Sequence, residues 1–122
     1  MNIKLHGIVI DVPNMEKTPA FYEKLLGWKR LFEDDEWTQI GDESGTHSIG
    51  FQADLDYVAP SWPEGTEGQG QMMHLDFLVD DLDKAVERAL SLGAAKAKAQ
   101  FMGDHGMTLL DPDGHPFCLI TG

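Results

Sequence analysis

Apolar and polar positions along the chain fall into two rhythms that alternate in a fixed order. His6-Gly7-Ile8-Val9-Ile10-Asp11-Val12 is apolar and predicts a strand, with Asn14 after it as a helix N-cap. The amphipathic run Phe21-Tyr22-Glu23-Lys24-Leu25-Leu26 then predicts a helix that Gly27 stops. The second half repeats the order. His74-Leu75-Asp76-Phe77-Leu78-Val79 predicts a strand, and Asp80 or Asp81 a cap. Leu82, Ala85, Val86, Ala89 and Leu90 form an i, i+3, i+4 stripe that closes at Gly93.

Short strands follow each helix: Lys29 to Glu33, Glu36 to Ile40 and Thr46 to Ala53, then Ala94 to Ala99, His105 to Leu110 and Phe117 to Thr121. Asp42-Glu43-Ser44-Gly45 and Asp111-Pro112-Asp113-Gly114 are turns at equivalent places before the last strand of each half. Leu26-Gly27 and Leu92-Gly93 stand at nearly equal distances from His6 and His74, which marks these histidines as repeat equivalents. The pattern is βαβββ twice, an α+β arrangement with antiparallel sheet and helices on one side.

At 122 residues the chain is expected to be one domain, with module 1 over about 1–53, a connector over 54–71 and module 2 over about 72–122. The connector is acidic, rich in Pro and Gly, and carries Tyr57 and Trp62, so it reads either as a flap or as a plain linker. Apolar residues at 42% and charged residues at 25% describe a chain that folds around a core. Nine Lys and Arg against 21 Asp and Glu give a net charge of −12, which repels nucleic acid and anionic membranes. A single Cys118 makes no internal disulfide, and the first residues show no export signal. The expected location is the cytoplasm.

The tandem units, the run from Phe21 to Trp28, the strand-opening His74 and the closing Asp111-Pro112-Asp113-Gly114-His115-Pro116-Phe117 together resemble the vicinal oxygen chelate superfamily. That group takes in glyoxalase I, fosfomycin-resistance proteins, extradiol dioxygenases and bleomycin-binding proteins. The resemblance implies a curved, incompletely closed mixed β-sheet barrel with helices outside, a small-molecule ligand or substrate, and a homodimer. It also implies metal ligands on the first and last strand of each repeat. His6 and His74 match the first-strand positions, Gln52 or Gly50 falls at one last-strand position, and Cys118 stands at the other where an acid is usual.

Strand alternation places His74, Asp76 and Leu78 on one face and Met73, Leu75, Phe77 and Val79 on the other, which packs under helices. Ser48, Gly50 and Gln52 oppose Ile49, Phe51 and Ala53 in the same way, and Cys118 and Ile120 oppose Phe117 and Leu119. One polar sheet surface therefore collects His, Asp, Gln, Ser and Cys.

Two readings stand. In the first, His6, His74, Gln52 and Cys118 hold a divalent metal (Zn, Ni, Mn or Fe) for a glyoxalase-like lyase or isomerase, with Asp76 as the candidate base. The absent acidic ligands argue against an ordinary glyoxalase I. In the second, a metal-free binding protein of the drug-sequestering type holds its ligand among Trp37, Ser48, Tyr57 and Trp62. A regulatory or structural protein with no active cleft is a weaker third. Met72-Met73, Trp37, Tyr57 and Trp62 also read as plain core, and His47, His105 and His115 as solvated loop residues.

Overall fold

The structure is a computed structural model that describes residues 2–62, 69–70 and 72–122. Connector positions 63–68 and 71 lie outside the described residues. The chain divides into two compact units, Met1–Tyr57 and Val58–Gly122, so the boundary falls inside the expected connector.

In the first unit β1 (Ile8–Val12), α1 (Thr18–Leu26), β2 (Lys29–Glu33), β3 (Trp37–Gly41) and β4 (Ser48–Ala53) follow in order. Their sheet runs β1-β4-β3-β2, with β1 parallel to β4 and the other pairs antiparallel. A second unit repeats this. After a two-stranded ladder of β5 (Pro60–Ser61) and β6 (Gln69–Gly70) come β7 (Leu75–Leu78), α2 (Leu82–Leu92), β8 (Ala95–Lys96), β9 (Gly106–Leu110) and β10 (Pro116–Ile120). Their order is β7-β10-β9-β8, again with the first and last strands parallel. The α+β class and the tandem βαβββ pattern hold, as two four-stranded mixed sheets that are not closed into a barrel.

Local chemistry sets the element ends. Asp81 caps α2, its Oδ1 accepting the Lys84 N–H at 3.1 Å. Gly27 and Gly93 end the two helices in the left-handed region at φ 69° and 119°, where a side chain would be strained. Asn14 does not cap α1, contrary to expectation. Pro19 in the first turn, with its preset φ, suits a start at Thr18 behind Lys17, and Asn14 instead accepts the Glu16 N–H in a local turn at 2.9 Å. Arg30 of β2 then ties the helix to the sheet, with two N–H groups on the Glu23 carboxylate at 3.0 and 2.7 Å and a third on Glu33 at 2.8 Å.

The strands are shorter than the apolar runs. Pairing begins at Ile8 with Ile49 and at Leu75 with Phe117, which leaves His6 and His74 just ahead of their strands. The expected strand from Ala94 to Ala99 is reduced to two residues because a side chain takes over the ladder. Gln100 donates to the Ala97 and Thr108 carbonyls, both at 2.8 Å, and accepts the Thr108 N–H at 2.9 Å.

Each unit buries one face of its sheet against its helix. Val12, Phe21, Tyr22, Ile40, Ile49 and Phe51 form the first core, with Tyr22 stacked on Phe51 at 5.9 Å between ring centroids. Val86, Ala89, Leu109, Phe117 and Leu119 form the second. Met72 and Met73, expected as core, are 94% and 74% exposed because they precede the first paired residue of β7. Among the described residues, no helix is long and apolar enough to cross a membrane.

The turns before β4 and β10 share a clamp. Asp42 accepts the His47 backbone N–H at 3.2 Å and meets its ring Nδ1 at 2.9 Å. Asp111 likewise accepts the His115 N–H at 3.0 Å and meets that ring at 2.8 Å. His47 and His115 are thus paired turn residues, and His115, with only 14% of its side chain exposed, is not solvated as expected. The His47 ring, together with backbone and Ser44 donors, holds the Asp42 carboxyl down at about 2 from an ordinary 3.8. A carboxyl depressed in the folded state favours folding above its unfolded value, and that contribution disappears as pH falls through the folded value. Asp42→Asn should therefore flatten the loss of stability between about pH 5 and pH 2. Thermal unfolding across that range checks this, and parallel curves for the variant and the parent would contradict it.

Candidate functional site

Register in the two sheets aligns the repeats residue by residue. Ile8 opposite Ile49 corresponds to Leu75 opposite Phe117, so Val9 and Gly50 of the first unit match Asp76 and Cys118 of the second. Counting back one residue, His74 corresponds to Gly7, and His6 to Met73. The expectation that His6 and His74 are repeat equivalents is thereby corrected by one position. Spacing between the histidines and the Leu-Gly helix ends could not resolve a one-residue slip, whereas a ladder does, because each step reverses the face.

In the second unit the expected face assembles. Cys118 lies directly opposite Asp76 on one side and Thr108 on the other, and His74 is two residues ahead of Asp76, on the same side by alternation. His74 Nε2 is 3.1 Å from Asp76 Oδ1. The Cys118 sulfur is 3.3 Å from the Thr108 hydroxyl. One nitrogen of His74, one carboxylate oxygen of Asp76 and the sulfur of Cys118 all lie within 4.8 Å of one another. Cys118 is buried at 3% exposure, whereas the side chains of His74 and Asp76 are 34% and 52% exposed, so the group opens outward from a buried sulfur. Burial pushes the Cys118 thiol up; the Thr108 hydroxyl opposes this, and the Asp76 carboxylate adds to the rise.

Trp62 forms a wall beside this group. Its ring meets the His74 ring edge-on at 5.4 Å and Phe101 at 6.2 Å, and its indole N–H donates to the Ala99 carbonyl at 3.2 Å. Thr108, which sequence reasoning did not single out, was readable as a polar residue alternating with Met107 and Leu109 on its strand.

An imidazole nitrogen, a carboxylate oxygen and a thiol sulfur are a donor set that suits a divalent metal, zinc above all. Zinc ligands at about 2.0 to 2.3 Å from the ion lie roughly 3.4 to 3.7 Å apart in a tetrahedron. The His74–Asp76 pair is already that close, and since no donor atom is more than 4.8 Å from another, closing the group on an ion takes shifts of about 1 Å or less.

The first unit is different at the same positions. Gly7, Val9 and Gly50 carry no donor side chain, and the Trp37 indole lies over Gly50 so closely that a Cβ there would overlap the ring. His6 is exposed ahead of β1, and its carbonyl accepts the Ser48 hydroxyl at 2.9 Å. Gln52 is exposed on β4 opposite Trp37, and Tyr57 is half-buried at the end of this unit. The position corresponding to Trp37 in the second unit is Gly106, which has no side chain to lay over the sulfur.

Residues 7–120 match the model of the glyoxalase-like domain. The chain belongs to that family. Its fold recurs in solved structures of the glyoxalase/bleomycin resistance/dioxygenase superfamily. It is similar to a glyoxalase-related enzyme from Fulvimarina pelagi, with 16% identity over 98% of this chain and 88% of that one and a TM-score of 0.70. A glyoxalase/bleomycin resistance protein/dioxygenase family enzyme from Burkholderia phytofirmans shares 22% identity over 98% of each chain, with a TM-score of 0.68. The fosfomycin resistance protein FosX from Mesorhizobium loti shares 18% identity over all of this chain and 94% of its own, with a TM-score of 0.72. No curated protein matches the chain. At these identities the likeness is one of fold, and what this glyoxalase-like chain binds has to be argued from its own side chains.

Proposed function

We propose that this glyoxalase-like protein takes an oxygen-bearing small molecule onto the polar face of its second sheet, around His74, Asp76 and Cys118, and acts on it as a divalent-metal-assisted lyase or isomerase. The observation that carries the reading is the convergence of three different donor atoms within 4.8 Å on an otherwise apolar strand pair. A divalent ion held there supplies Lewis-acid polarisation of a substrate oxygen. Trp62 contributes an apolar edge beside His74, which orients a ligand and excludes water from one side. Asp76, paired with His74 at 3.1 Å, is the carboxylate of this group.

A metal-free binding protein is the second reading, favoured by the raised Cys118 thiol and by the mutual satisfaction of His74 and Asp76. We also infer a homodimer, supported by large exposed apolar side chains such as Ile3, Leu5 and Leu55 at 84%, 81% and 97%. A cytoplasmic location is supported by the single thiol.

The names of the structural relatives supply the first compounds to try, fosfomycin and bleomycin. A ligand at 100 times its Kd raises stability by about 2.7 kcal/mol, which a thermal-unfolding shift reads directly. The shift is expected with one of these compounds plus zinc, and is expected to be lost in His74→Ala. A shift equal with and without the metal would replace the first reading by the second, and one that survives His74→Ala would move the site elsewhere.

A further inference from the structure

Resting on that reading, we propose that the second unit alone carries a thiophilic metal site in which His74 Nε2, Asp76 and the Cys118 sulfur are three protein ligands to zinc or a zinc-like ion, with the fourth position open. Asp76 is then a ligand and not a base.

The case rests on the contrast between two repeats that share one backbone pattern. At three matched positions the second unit has His74, Asp76 and Cys118, and the first has Gly7, Val9 and Gly50. A polar outer sheet face alone would give exposed, charged residues in both units. It would not bury a sulfur at 3% exposure between a carboxylate and a hydroxyl. The donors are of three kinds, one soft sulfur among them, which favours zinc, cobalt or cadmium over manganese or magnesium. Thr108 already touches the sulfur at 3.3 Å from the side away from Asp76, the place of an outer partner that orients a ligand. Three protein ligands with an open position are the arrangement of catalytic rather than structural zinc.

The test needs no substrate. The 122-residue chain is loaded with cobalt(II), whose absorption gains a sulfur-to-metal charge-transfer band in the near ultraviolet when a thiolate is bound. Zinc affinity is read by competition with a chromophoric chelator. One equivalent of zinc per chain is expected, together with the cobalt band, and the band is expected to vanish in Cys118→Ser. Outer partners alone change metal affinity by about 10- to 100-fold, so His74→Ala, Asp76→Asn and Cys118→Ser should each weaken zinc binding by about 100-fold or more. His74 and Asp76 are partly exposed, so their variants keep the test valid if Cys118→Ser fails to fold, and circular dichroism checks each one. Zinc binding without the cobalt band, or an Asp76→Asn variant that keeps parental affinity, would overturn the assignment. Absence of zinc binding would overturn it too, while small-molecule stabilisation persisting without metal would show that the ligand site survives its loss.

Discussion

Phe117→Ala is expected to lower stability by about 3 to 5 kcal/mol. The ring is fully buried on β10, the strand that pairs with both β7 and β9, and it meets Phe77 edge-on at 6.0 Å between centroids. Truncation removes the transfer free energy of the ring and leaves a cavity that a strand paired on both sides cannot close. Against a typical total of about 5 to 15 kcal/mol this is a large share. Equilibrium urea unfolding measures it. A loss below about 1 kcal/mol would mean that the second core does not centre on this ring. Phe101 is the internal control. It is 69% exposed and touches Trp62 only at 6.2 Å, so Phe101→Ala should cost well under half as much.

Asp111→Ala is expected to cost about 3 kcal/mol, and much more than the same change at Asp42. Both carboxylates clamp a histidine in the turn before the last strand of their unit, but Asp111 has no exposed side-chain surface and Asp42 keeps 23%. Asp111 accepts backbone N–H groups of Asp113 and His115, both at 3.0 Å, besides the His115 ring. Removing it leaves partly buried donors without an acceptor, whereas water replaces the carboxylate at Asp42. Asp111→Asn retains one carbonyl oxygen for those donors and should recover about half of the loss. Equal destabilisation at Asp42 and Asp111 would show that burial does not set the difference.

Much of this fold is legible in the order of its residues. Period-2 and period-3.6 patterns, two left-handed glycines and two Asp-Gly turns give the repeat, the helices and most of the strands, because each of these signals is local. The capping role of Asp81 is readable for the same reason, while Asn14 misleads because Pro19 offers a better helix start. The grouping of His74, Asp76 and Cys118 on one face follows from alternation, and the structure brings the three within 4.8 Å. Thr108, which completes the row across the sheet, needs the β9–β10 register.

The α+β repeat and the alternation of polar and apolar faces were already written in the order of the residues. That His74 matches Gly7 and not His6, that Gln100 ends the β8 ladder, and that His115 is clamped by a buried Asp111 emerge from the folded contacts alone. The reason is physical. Propensity and periodicity act between near neighbours in the chain, whereas the register of β1 on β4 and of β7 on β10 is set by partners some 40 residues away, and a slip of one residue turns every side chain to the opposite face. The Gln100 and Asp111 contacts are local but depend on side-chain geometry that periodicity does not encode.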